Sequence, residues 1–153
     1  MSTDFRLRVA TVVVASIGLV DSAYLTWIKL THNEASCIKG IGDCQTVNTS
    51  PYSEIHGVPI ALLGGLAYLA LLALVLFEAG GVIHPENTRL GIFGIALTGS
   101  LYSAYLTYLE IAVIRAICPF CVLSAISMVT IFVLAIVRLS RSQMTQIPRQ
   151  EEN

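Results

Sequence analysis

The chain has 153 residues, enough for one domain, and is 55% hydrophobic and 12% charged with a formal net charge of −1. A water-soluble domain carries about 25% charged residues, so most of this surface faces something other than water. Nucleic-acid binding wants a basic face, and none is visible.

Residues 1–8 form a short polar head with Arg6 and Arg8. From Val9 to Ile28 the only charge is Asp21. About 20 apolar residues cross a bilayer core as a helix, and a first span is expected over about 9–29. It runs past the small residues at Ala15 and Ser16, so it is expected to be a retained span and not a cleaved signal. Asp21 is a functional candidate, because a carboxyl inside a membrane is costly; the alternative is a structural Asp bonded to Tyr24 or another helix.

Residues 31–56 form a polar loop with turn-formers at Asn33, Gly40, Gly42, Asp43, Asn48 and Pro51. It is too long for a plain connection, and it holds Cys37, Cys44, Ser50 and His56. His56 titrates near neutrality but reads first as a surface residue. Pro59 suits the first turn of a second helix, expected over about 58–79. Gly80-Gly81 and Pro85 mark a turn.

A third helix is expected over about 89–114. Gly64-Gly65 in the second and Gly91-x-x-Gly94 in the third suggest close packing in lipid. Tyr102, Tyr105 and Tyr108 recur along one flank, either as packing aromatics or as pocket lining. Glu110 lies near the end of this helix, as an interfacial partner for Arg115 or an aid to proton release. The fourth helix, about 117–138, opens on Cys118-Pro119, and residues 139–153 form a polar tail.

These stretches lack the polar outer face that a soluble bundle needs. The expected fold is an all-α integral membrane protein, a single four-transmembrane-helix bundle with an extracytoplasmic loop between its first two helices. Arg6, Arg8, Arg89, Arg138, Arg141 and Arg149 fall on one side, against Lys29, Lys39 and Arg115 on the other. This asymmetry puts both termini and the tail in the cytoplasm.

Any four-span arrangement then gathers Cys37, Cys44, Cys118 and Cys121 at one face. The inferred face is extracytoplasmic, where disulfides persist. Cys118 and Cys121 share a helix face at i and i+3. Cys118 sits near the positive helix end, which favours a thiolate. Structural zinc on four cysteines is the metal alternative, though the spacing of Cys37 and Cys44 is wide for it. Cysteines as apolar filler would not gather at one face. Two pairs suggest thiol–disulfide exchange between water and bilayer.

Cys37, then Cys44-x-x-Val47-x-x-Ser50-Pro51-Tyr52, then Gly57-Val58-Pro59, then Ala116-Ile117-Cys118-x-x-Cys121 resembles the vitamin K epoxide reductase family. The likeness covers about residues 10–137. It implies a four-helix bundle around a quinone, ubiquinone or menaquinone, in the plasma membrane. It also implies a quinone-dependent thiol:disulfide oxidoreductase that reoxidises a thioredoxin-like protein and supports extracytoplasmic disulfide formation. Many microbial members carry that partner as a fused domain. Because this sequence ends at Asn153, a separate partner protein is expected. By position, Cys37 would meet the partner and Cys44 would attack Cys118. Cys121 would face the quinone, with the Ser50 hydroxyl near the quinone or the sulfurs. The Asn of the second helix and the later Tyr that hold vitamin K in human-type members have no match, Ala125 standing where that Tyr would fall. The alternatives left by the sequence are a reductase working in the reducing direction and a non-enzymatic, zinc-stabilised membrane protein.

Overall fold

The computed structural model describes residues 3–31, 42–81 and 84–146, with side chains as far as residue 141. Helix α1 spans Thr3–Thr31, and the segment after it carries a short helix α2, Cys44–Thr49. A single 3-10 turn, Pro51–Ser53, leads into a small hairpin of β1, Glu54–Ile55, and β2, Val58–Pro59. Helices α3, Ile60–Ala79, α4, Pro85–Tyr108, and α5, Pro119–Gln146, complete the fold. The last turn of α4 widens into a π-helical turn, Leu109–Ile114.

Four of these helices are long and apolar enough to cross a membrane. Their order around the bundle is α1, α3, α4, α5 and back to α1, as the packed pairs require. Ala15, Tyr68, Leu71, Ile92, Ala96, Met128 and Ile131 form the core, drawn from all four. Outward-facing Val20, Leu66, Leu101 and Ile126 leave apolar flanks exposed, as a lipid-facing bundle requires. Close approach depends on absent side chains. A Cβ on Gly18 would lie 2.2 Å from the Tyr68 ring, and one on Gly99 would lie 2.8 Å from Met128 Sδ. Small residues at such crossings let helices meet without a hydrophobic driving force.

An ion cluster closes the end of the bundle that holds the N-terminus of α1. Arg138 Nη2 on α5 donates to both oxygens of Glu78 on α3, at 2.9 and 2.7 Å. Both side chains are 1% exposed. Arg8 of α1 and Arg89 of α4 reach the same carboxylate at 3.3 and 3.6 Å. Asp4 pairs with Arg8 at 3.1 Å and Arg138 at 3.4 Å. All four long helices are therefore tied at one point.

Several boundaries differ from the sequence expectation, each for a local reason. Helix α1 begins at Thr3, where the Asp4–Arg8 pair spans its first turn. Helix α3 begins at Ile60 because Val58 and Pro59 pair with Ile55 and Glu54. His56 and Gly57 make the two-residue turn at φ of 51° and 80°, the pattern of a type I′ hairpin. Helix α4 opens on Pro85, whose missing N–H costs nothing at a first helical position. The tail expected from residue 139 is helical through Gln146, with no breaker before Pro148.

Candidate functional site

The Cys118-x-x-Cys121 motif sits where the chain enters α5. Val122 N–H donates to Cys118 O at 3.1 Å, so Cys118 caps the helix and Pro119 fills its first position. The π turn of α4 presents Glu110 to this cap. Its Oε2 accepts the Cys118 N–H at 3.1 Å, and its own carbonyl accepts Ala116 N–H at 3.1 Å. Arg115 turns the chain between them at φ 56°.

Cys118 and Cys121 are free thiols, the first buried and the second half-buried. The Cys121 thiol has two acceptors in reach, the Cys118 sulfur and the Glu110 carboxyl, and one proton to give. Its hydrogen bond holds the Cys118 thiol below the ordinary value, with help from the Cys121 and Phe120 N–H groups and against burial and the Glu110 charge. A thiolate at Cys118 is thus favoured, as expected for a sulfur at a helix start.

The loop is laid directly on this motif. Asp43 caps α2 by accepting Thr46 N–H at 2.9 Å, and the Thr46 hydroxyl bonds it too. These bonds hold the exposed Asp43 carboxyl below the usual carboxylate value. Asp43 N–H donates to Ile117 O at 3.1 Å. A Cβ on Gly42 would meet Ile117 O at 2.5 Å and Pro119 Cδ at 2.6 Å, so only glycine permits this approach. As a result Cys44, 0% exposed, packs with Cys118, 1% exposed, and Val47 in one cluster. Cys44 is disulfide-bonded.

Lys29 fastens the other end of the loop. From the last turn of α1 its Nζ donates to Asn48 O and Ser53 Oγ, both at 2.6 Å, and pairs with Glu54 at 2.9 Å. Under the loop lies a cavity of about 640 Å³, within the range of small-molecule sites. Cys118, Cys121, Ser50, Glu110, Asp21 and Tyr68 all contribute to its wall.

The sequence-derived candidates divide accordingly. Cys37 lies outside the described residues. Ser50 lines the cavity, but its hydroxyl donates to Val47 O at 2.8 Å and caps α2. Glu110 and Arg115 do not pair; the carboxyl is 4% exposed and faces the thiols while Arg115 is exposed. Asp21, 6% exposed, bonds neither Tyr24 nor another helix, and both its oxygens lack a partner. Tyr105 points outward, half exposed, beside Tyr102, and Tyr102 lines the cavity in its place. Gly94 lies on the cavity wall, where an added Cβ would meet nothing within 4 Å, while one on Gly91 would lie 3.3 Å from Leu74. Among the described residues no group of three or more His, Cys, Asp or Glu is placed to hold a metal ion.

Two site residues escaped the sequence reading. Lys29 was counted only as a charge, although its position at the end of an apolar span facing a polar loop was a usable signal. Tyr68 gave no signal within its apolar run; its hydroxyl donates to Ser124 O across the bundle at 2.7 Å.

Comparison with known proteins agrees with this architecture. A thiol-disulfide oxidoreductase of Arabidopsis thaliana, LTO1, is 35% identical over 91 residues, covering 57% of this chain. The match spans 24% of that relative's length. The profile of the Vitamin K epoxide reductase family matches residues 9–136, from α1 through most of α5. The chain is a multi-pass membrane protein by its four spans, and it belongs to the vitamin K epoxide reductase family.

Proposed function

We propose that this protein is a membrane thiol:disulfide oxidoreductase that oxidises a separate thioredoxin-like protein and reduces a quinone, supporting disulfide formation outside the cytoplasm. One observation carries the reading: Cys44 is packed against Cys118 while Cys121 lines a cavity sized for a small molecule. The name of the Arabidopsis relative points to the same thiol chemistry.

The cavity suits a quinone ring. Its wall is mainly apolar, it includes both thiols of the membrane pair, and Asp21 offers it a carboxyl with no internal partner. When bound, the quinone supplies an acceptor for two electrons and two protons. The chain's own residues do the rest. Reduced partner attacks Cys37 of a Cys37–Cys44 disulfide, forming a mixed disulfide and releasing Cys44 as a thiolate. The partner's second thiol then frees Cys37. Cys44 attacks Cys118 of an oxidised Cys118–Cys121 pair, and Cys121 leaves as a thiolate that takes up a proton Glu110 is placed to hold. Cys37 resolves the Cys44–Cys118 bond, restoring the loop disulfide and leaving two thiols at the cavity. Each exchange breaks one disulfide and makes one, so the driving force comes from the final two-electron oxidation of the membrane pair. A disulfide-bonded Cys44 beside free Cys118 and Cys121 is the state just before that oxidation.

Purified protein given a reduced thioredoxin-like donor should reduce a quinone analogue, and Cys118→Ala or Cys121→Ala should abolish turnover. Turnover persisting in either variant would overturn the route. Cytoplasmic termini are part of the same proposal. A reporter active only outside the cytoplasm, fused after Gln146, should be silent, and a signal there would reverse the orientation.

A further inference from the structure

The buried carboxyl of Asp21 has no function in the thiol route. It lies on α1 one turn before Leu25 and close to Ser22, on the cavity wall. Neither Oδ1 nor Oδ2 has a hydrogen-bond partner, and among the described residues no cation pairs with it. An ionised carboxyl in such a place carries a large desolvation cost. As an acid it holds one O–H donor, with no acceptor bonded to it among the described residues. Four other hydroxyls on the wall are already spent. Tyr68 donates to Ser124, Ser50 to Val47, Thr98 to Gly94 and Thr107 to Ser103. The carboxyl also borders an apolar groove between α1 and α5, lined by Ile17, Val20, Tyr24 and Phe120. Lipid chains there offer it no hydrogen bond.

We propose that Asp21 is a hydrogen-bond donor to a carbonyl oxygen of the quinone bound in the cavity, resting on the quinone reading above. Leaving a buried polar group unsatisfied costs stability. Its retention in an apolar helix is explained when a ligand satisfies it. A donor to the carbonyl fixes the ring's orientation beside Cys118 and Cys121 and favours the gain of negative charge on that oxygen.

The test is equilibrium binding to the detergent-solubilised full chain, by calorimetry, with menadione and decylubiquinone as probes. Methylnaphthalene, the menadione ring without its oxygens, serves as control. For whichever quinone the native protein binds, Asp21→Leu should weaken the Kd about tenfold, the loss of one hydrogen bond. Asp21→Asn keeps a donor and should stay within about threefold. Methylnaphthalene should bind all three alike, reporting an intact cavity. The Asp21→Leu protein should melt at the same or a higher temperature, because an unsatisfied group has been removed. Equal quinone affinity in Asp21→Leu would overturn the assignment while leaving the quinone reading standing. So would a fall in melting temperature together with loss of methylnaphthalene, which marks a structural role. If the native protein binds neither quinone, the quinone reading falls and this inference with it.

Discussion

Glu110 accepts the backbone N–H of Cys118 at 3.1 Å across the turn that joins α4 to α5. One carboxyl thus fixes the start of the helix that bears both thiols and stands beside the proton those thiols exchange. Glu110→Ala should leave the Cys118 N–H buried without an acceptor and cost about 1–3 kcal/mol of stability. Glu110→Gln keeps an acceptor but takes up no proton. Its stability should stay near native, while oxidation of the thiol pair by quinone slows about 100-fold. Denaturant titration and stopped-flow single turnover separate the two effects; a full-rate Glu110→Gln protein would remove the carboxyl from the chemistry.

The opposite end of the bundle governs stability. Glu78 holds Arg138, Arg8 and Arg89 from inside the fold. Removing one member of a buried charge cluster strands the others, so Glu78→Ala should cost about 3–5 kcal/mol. A change below about 1 kcal/mol would show the cluster to be solvated.

Gly42 should control the rate of transfer from loop to membrane pair. A methyl group there would press on Ile117 O and Pro119, lifting Cys44 away from Cys118. Gly42→Ala should slow exchange between the pairs by about 10- to 100-fold, with direct oxidation of Cys118 and Cys121 by quinone unchanged. Lys29→Met, which loses the bonds to Asn48, Ser53 and Glu54, should act in the same direction. Rapid-quench alkylation measures the rate, and native exchange in both variants would show that docking is not needed.

The Cys118 thiolate should persist to lower pH than an ordinary thiol. Its value is held down first by the Cys121 hydrogen bond. The thiolate's ultraviolet absorbance should therefore titrate below the range of an ordinary thiol in reduced protein, and Cys121→Ala should shift the midpoint upward. The linked stability has the matching sign: present above the unfolded thiol value and lost as pH falls through the folded one. An unshifted midpoint in Cys121→Ala would contradict this account of the pair.

What was legible in the sequence follows from which forces act alone. Four spans showed because hydropathy over a bilayer's width needs no tertiary context. The convergence of Cys44 and Cys118 followed from helix parity. The interior of the loop was less visible, since α2 and the hairpin are short and owe their order to contacts with α1 and α5. Asp43 three residues before Thr46 and the His56-Gly57 pair were the local signals available. Glu78 drew no notice near the end of its span, and its burial depends on three arginines from other helices. Asp21 was flagged by the cost of a charge in lipid, but that cost does not say which way the side chain faces. The same holds for the tyrosines: spacing put three of them on one flank, and packing chose Tyr102 for the cavity and left Tyr105 half exposed.

The central claim is that electrons pass from Cys44 to Cys118. Trapping that transfer tests it most directly. Cys37→Ala protein, its membrane pair oxidised by the quinone analogue, then alkylated and mapped by mass spectrometry without reduction, should accumulate a Cys44–Cys118 disulfide with Cys121 alkylated, because Cys44 displaces Cys121 from Cys118 and no Cys37 is left to resolve the new bond. Recovery of the Cys118–Cys121 disulfide alone, with Cys44 alkylated, would contradict the account and leave Cys44 outside the transfer.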